Sequence, residues 1–189
     1  MPVACELILG GQRSGKSRCA ESRAAVWLAV ESRSAVLLAT ALAGDGEMRS
    51  RIERHRQDRA DRIPALVTQE VPVELAQMIR LLNRPERLLV VDCLTLWLTN
   101  LLMPLRGPAL DAAAIDAARN DLCAALRDAA GPIVLVSNEV GLGVSPMTKE
   151  ARRFVDELGR LHQDVAAQCG HVTLMVAGIE VPVKRATPT

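Results

Sequence analysis

The octapeptide GGQRSGKS at residues 10–17 constrains the fold of this chain more than any other stretch. It has the spacing G-x-x-x-x-G-K-[ST] and stands between the apolar run CELIL and a segment with helical patterning. That order calls for a buried strand, a tight glycine turn and a helix whose first N–H groups face the turn. Gly10, Gly11 and Gly15 permit backbone angles and close approaches that a side chain would block. The N–H groups of Gln12, Arg13 and Ser14 can then cradle phosphate oxygens, and the side chain at position 12 matters little because the backbone does the holding. Lys16 is placed to reach β- and γ-phosphates, and the Ser17 hydroxyl to join a Mg2+ shell. The loop specifies a nucleoside triphosphate and does not separate ATP from GTP.

The rest of the chain repeats the strand-then-helix order. Nearly continuous apolar runs at 5–9, 35–40, 88–92, 133–137 and 172–177, with a weaker one at 65–69, read as strands covered on both faces. Helical patterns occupy 16–30, 46–60, 72–83, 94–103, 111–129 and 147–168, the last with Ser145 and Pro146 as cap and first-turn proline. Such alternation predicts an α/β fold with an open, mostly parallel, doubly wound sheet flanked by helices. At 189 residues the chain suits one domain over 1–189. RGPALD at 106–111 reads as an exposed connection, and the polar tail PVKRATPT as frayed.

Charge and composition remove several function classes. A net charge of +1 and 2% aromatic residues disfavour nucleic acid as a partner, which leaves a DNA-dependent assembly ATPase without its binding surface. No apolar run approaches the ~18 residues that suggest a membrane span, and no signal core precedes the first strand, so a soluble, cytoplasmic protein is expected. The five cysteines are scattered without a C-x-x-C pair, as buried reduced thiols would be, and the three histidines form no zinc pattern.

Two further positions carry chemistry. LLVVD ends at Asp92, where a strand's carboxyl end can present a carboxylate to the metal opposite Ser17. Residues 45–62 carry six arginines against five acids around His55. On a helix Arg51, His55 and Arg59 share one face. Like charge disfavours protonation of the imidazole, and the guanidinium groups can spread the charge of a phosphoryl group under attack. A histidine nucleophile attacking phosphorus fits that setting. The same pattern also suits a solvated helix face, with the chain a simple small-molecule kinase. The guanine-reading N-K-x-D element of regulatory GTPases is missing; the corresponding late strand ends in SNEVGLG.

GGQRSGKS, AT at 39–40, RIERHRQDR at 51–59, DCLTLWLTNLL at 92–102 and SNEVGLGVSP at 137–146 occur in an order that covers nearly the whole chain. In these motifs it resembles the bifunctional adenosylcobinamide kinase / adenosylcobinamide-phosphate guanylyltransferase family of cobalamin biosynthesis. The resemblance implies a RecA-like P-loop fold, a homotrimer, and two reactions. Adenosylcobinamide is phosphorylated with ATP or GTP. GMP then passes from GTP to adenosylcobinamide phosphate through a covalent GMP–histidine intermediate, with pyrophosphate released. It implies His55 as the guanylylated residue and Lys16 as the second catalytic group. Nucleotide contacts are implied at residues 10–17, at Ala39, Thr40 and Ala41, at Arg56, Gln57, Asp58 and Arg59, and at Glu70. At the end of the central strand the family often has Glu, so Asp92 is the shorter carboxylate.

Overall fold

The computed structural model describes residues 5–44 and 46–185. Asp45, residues 1–4 and 186–189, and the side chain of Arg51 lie outside the described residues, and with them the expectations for Arg51 and for the end of the tail. Seven strands form one sheet: β1 (Cys5–Gly10), β2 (Ser34–Ala39), β3 (Leu66–Glu70), β4 (Arg87–Asp92), β5 (Ile133–Asn138), β6 (His171–Val176) and β7 (Ile179–Lys184). Their order is β3-β2-β4-β5-β1-β6-β7, parallel except for the β6–β7 pair. The helices are α1 (Lys16–Leu28), α2 (Gly46–Arg62), α3 (Leu75–Leu82), α4 (Leu94–Leu102), α5 (Ala112–Arg127) and α6 (Lys149–Gln168).

Apolar residues run almost unbroken along the central strands, Glu6 of β1 being an exception, because both faces are covered. Successive side chains go to opposite layers. Leu7, Leu38, Leu89, Val91, Ile133 and Leu135 pack with Leu75, Ile79, Trp97, Leu122, Leu158 and Leu161 of α3 to α6. Ile8, Leu37, Leu88, Val90, Val134 and Val136 pack with Cys19, Ala20, Ala24 and Trp27 of α1. Each large apolar side chain fully withdrawn from water contributes about 1.5–3 kcal/mol, so this double layer is the main stabilising feature. All five cysteines are buried and free. No described helix is long and apolar enough to cross a membrane.

Two expectations are corrected. Residues 182–184, assigned to a frayed tail, belong to β7, which turns back on β6 through Ala177 and Gly178. Both turn residues have positive φ, 51° and 81°, as a two-residue hairpin of the sheet's hand requires. The glycine in this turn looks like a breaker, and Pro182 looks like a strand terminator, yet an edge strand tolerates a residue without an N–H. The second correction concerns α6, which starts at Lys149 rather than 147. Its cap is Thr148, whose hydroxyl accepts the Ala151 N–H at 3.2 Å, not Ser145.

Candidate active site

The parallel register brings the carboxyl ends of five strands to one edge. Ala39 lies opposite both Glu70 and Asp92, Asp92 opposite Val136, and Gly10 opposite Asn138. The glycine loop, Ala39–Ala41, Glu70 and Asp92 therefore meet along one rim, although they lie far apart in the chain.

At that rim the loop leaves β1 and runs straight into α1. Gly10 and Gly15 have φ of 154° and 101°, and Arg13 adopts a positive φ of 56°. A Cβ on Gly10 would sit 2.6 Å from both the Met175 carbonyl and Ser14 Oγ, so glycine is required there. Gly11, Gln12 and Arg13 are exposed, whereas Ser14 and Lys16 are buried and Ser17 half-buried. Lys16 Nζ donates to the Gly11 carbonyl at 2.6 Å, across the mouth of the loop. Gly178, in the β6–β7 turn, donates its N–H to the Ser14 carbonyl at 3.0 Å. The β6–β7 hairpin, whose residues 182–184 fall in the expected tail, thus buttresses the phosphate loop.

Thr40 is fully buried, and its hydroxyl bridges the end of β2 to the start of α4. It accepts from the Cys93 N–H at 2.8 Å and donates to the Cys93 carbonyl at 2.7 Å. Its backbone N–H donates to the Asp92 carbonyl, and its carbonyl accepts from Asn100 Nδ2. Thr40 fastens Asp92 in register with β2, while half-buried Ala41 continues the segment toward solvent.

Asp92 is half-buried at the end of β4. No group of three or more His, Cys, Asp or Glu side chains able to hold a metal ion occurs among the described residues. One carboxylate and one hydroxyl, from Asp92 and Ser17, are an oxygen donor set of the kind that suits Mg2+, an ion that keeps several waters and completes its shell with substrate phosphates.

Helix α2 is polar almost all round. His55, Arg56, Gln57 and Asp58 are exposed, and Arg56 comes within 3.8 Å of exposed Glu70 at the end of β3. Arg59 differs: it is only 5% exposed, and among the described residues its guanidinium makes no ion pair. One turn further on, Arg62 pairs with buried Glu21 of α1 at 2.7 Å. His55, Arg59 and Arg62 share a face of α2. The face bearing the histidine is thus the one tied to the helix that Lys16 opens.

A buried polar line joins α6, β5 and α4 at the carboxyl end of β5. His162 of α6 has Nε2 2.7 Å from Ser137 Oγ, which in turn lies 3.0 Å from Thr95 Oγ1. Thr95 Oγ1 accepts the Asn138 N–H at 2.7 Å. On the other side of the ring, His162 Nδ1 is 3.5 Å from Glu139 Oε2. Burial pushes the His162 pKa down, and the Glu139 carboxylate, acting in the opposite direction, is the smaller influence. The imidazole is therefore neutral at pH 7.

Comparison with known proteins assigns the chain. The family model described as "Cobinamide kinase / cobinamide phosphate guanyltransferase" matches residues 6–183. The chain belongs to this family. Among curated relatives of this cobinamide kinase / guanyltransferase, "Bifunctional adenosylcobalamin biosynthesis protein CobP" of Pseudomonas aeruginosa is 49% identical over 180 residues, covering 95% of this chain and 96% of the relative. "Bifunctional adenosylcobalamin biosynthesis protein CobU" of Escherichia coli is 37% identical over 187 residues, covering 94% and 98%. Solved structures share the fold alone. The flagellar accessory protein FlaH of Methanocaldococcus jannaschii superposes with a TM-score of 0.54 at 12% identity, covering 98% of this chain and 80% of that one. A Pyrococcus horikoshii protein does so with 0.56 at 8%, covering 99% and 89%.

In this cobinamide kinase / guanyltransferase the phosphate loop, Asp92 and the α2 cluster are legible in the sequence, where His162 is a poorer candidate than His55; the partnership of Thr95, Ser137, His162 and Glu139 is not. Two signals were available. Ser137 follows the apolar run IVLV within β5, and His162 falls on the buried face of α6 with Leu158, Leu161 and Val165. A polar residue on each of two apolar faces calls for a partner, and here they partner each other.

Proposed function

We propose that this bifunctional cobalamin-biosynthesis enzyme seats GTP with its phosphates on residues 10–17 and transfers GMP through His55. The imidazole attacks the α-phosphorus, pyrophosphate leaves, and a GMP–histidine bond forms. The phosphate of adenosylcobinamide phosphate then attacks that phosphorus, releasing adenosylcobinamide-GDP and freeing His55. In the kinase half-reaction the same loop presents the γ-phosphate of ATP or GTP to the adenosylcobinamide hydroxyl, and Lys16 neutralises the charge that develops there. Ser17 and Asp92 would hold Mg2+, which when bound neutralises phosphate charge. Ala39, Thr40, Ala41, Arg56, Gln57, Asp58, Arg59 and Glu70 complete the nucleotide contacts in this reading, a cytoplasmic homotrimer being the assembly that goes with it.

The observation that carries this reading is the shared face of His55, Arg59 and Arg62. Arg59 is only 5% exposed and makes no ion pair among the described residues, and a phosphate is the partner that fits such a guanidinium. His55 stands one turn from Arg59, on the exposed part of a helix fastened near its other end by Arg62 and Glu21. In this reading α2 pivots about that tether to bring the imidazole to the nucleotide.

Incubation with α-labelled GTP tests the transfer. Wild type should retain acid-labile label after denaturation, and His55→Ala should retain none. Equal label on both proteins overturns the assignment, and γ-phosphate transfer with no adduct in wild type leaves a kinase alone.

A further inference from the structure

Glu139 is the first residue beyond β5, the strand that lies between β1, which delivers the phosphate loop, and β4, which delivers Asp92. Its N–H donates to the Gly10 carbonyl at 2.9 Å, which fixes its backbone to the loop's first glycine. Its carboxylate is held from two sides. Oε1 accepts the Gly141 N–H at 2.6 Å, and Oε2 faces His162 Nδ1 at 3.5 Å. The ionisable group that faces it is His162 from α6.

The proton order of the line follows from its members. A neutral ring beside a carboxylate keeps its proton on Nδ1, so Nε2 accepts from the Ser137 hydroxyl and Ser137 accepts from Thr95. Carboxylate, imidazole and serine in this order resemble an activated nucleophile. Ser137, however, is 0% exposed, so no substrate atom reaches its oxygen. The accessible end is the other one, for the Glu139 side chain is 20% exposed. Beyond it the loop carries Val140, Leu142, Val144 and Met147 exposed, the last three at 83%, 97% and 93%. An apolar rim beside a carboxylate suits a substrate with a broad apolar face and a hydroxyl arm.

We propose that Glu139 is the base of the kinase half-reaction, receiving the proton of the substrate hydroxyl, and that His162 is the positioning residue that aims its carboxylate from behind. This rests on the kinase activity of the family. The hydroxyl oxygen forms a bond to the γ-phosphorus as the bond from that phosphorus to the β,γ-bridging oxygen breaks. The nucleoside diphosphate leaves with the bridging electrons, and the hydroxyl proton passes to Glu139 and then to water. The long contact to Nδ1 orients Oε2 while leaving a lone pair for the incoming proton.

The test uses the full-length enzyme with cobinamide and ATP or GTP. Glu139→Gln should lower kinase kcat about 10²–10⁴-fold while the nucleotide KM stays within about threefold, and should abolish the acid limb of the kcat–pH profile. His162→Leu should lower kcat and shift that limb, whereas His162→Asn, whose amide N–H stands where Nδ1–H stands, should restore most of the rate. A kcat in Glu139→Gln within threefold of wild type overturns the proposal, as does a loss confined to nucleotide KM. Should Glu139→Gln fail to fold by circular dichroism, the wild-type profile decides: the absence of a one-proton acid limb overturns it. Failure of the kinase reading itself looks different, with no phosphate transferred by wild type.

Discussion

Arg62 near the end of α2 donates to Glu21 of α1 at 2.7 Å, joining the helix that bears His55 to the helix that grows out of the phosphate loop. Glu21 is buried and Arg62 partly exposed, so the pair differs from an ordinary surface ion pair. It leaves a desolvated carboxylate dependent on one guanidinium.

Arg62→Ala should therefore destabilise the protein by about 1–3 kcal/mol, since the carboxylate of Glu21 loses its charged hydrogen bonds. Hydrogen exchange should rise over residues 46–62 before it rises in the central strands, because α2 has little apolar anchorage of its own. Urea unfolding and exchange mass spectrometry check both. Unchanged protection of α2 would show that the helix is held elsewhere.

Thr40→Val removes a hydroxyl and keeps the volume. The Cys93 carbonyl keeps a partner in the Trp97 N–H, but the buried Cys93 N–H is orphaned. The expected loss is about 1–3 kcal/mol in chemical denaturation. A stability within about 0.5 kcal/mol of wild type would mean that the β2–α4 junction finds a substitute donor–acceptor pair.

Thiols with raised pKa values, at Cys19, Cys93, Cys123 and Cys169, make the stability fall in alkali. Burial pushes Cys19 up to about 12, with Glu180 adding to the rise and Arg23 opposing it, and pushes Cys93 up to about 11. Above the ordinary thiol value of 9.0 the unfolded chain loses protons that the folded chain retains. Stability is thus full below that pH and is lost as pH climbs through the folded values. Thermal midpoints from pH 8 to 11 should decline, and the decline should be shallower in Cys19→Ala. Parallel curves for the two proteins would remove Cys19 from the account.

Much of this architecture is legible without coordinates. The runs LLVV and IVLV have no polar face to present to water, so they read as covered parallel strands, and each lies in a strand of the central sheet. GGQRSGKS imposes its own strand–turn–helix geometry because glycine spacing acts locally. The hairpin at Ala177–Gly178 was not legible, since a two-residue turn and a loop share the same composition. Nor was the His162–Ser137 contact, which joins residues twenty-five apart on two elements whose facing surfaces only packing brings together.

The amino-acid order alone settled the alternation of elements, the phosphate loop and the membership of a family, because each depends on neighbours along the chain. Tertiary structure alone decided which polar side chains meet. It set Asp92, Glu70 and Gly10 on one rim, buried Arg59, left His55 exposed, and backed Glu139 with an imidazole. Those outcomes depend on sheet order and helix packing, where contacts between distant residues are chosen by burial and hydrogen-bond satisfaction rather than by spacing.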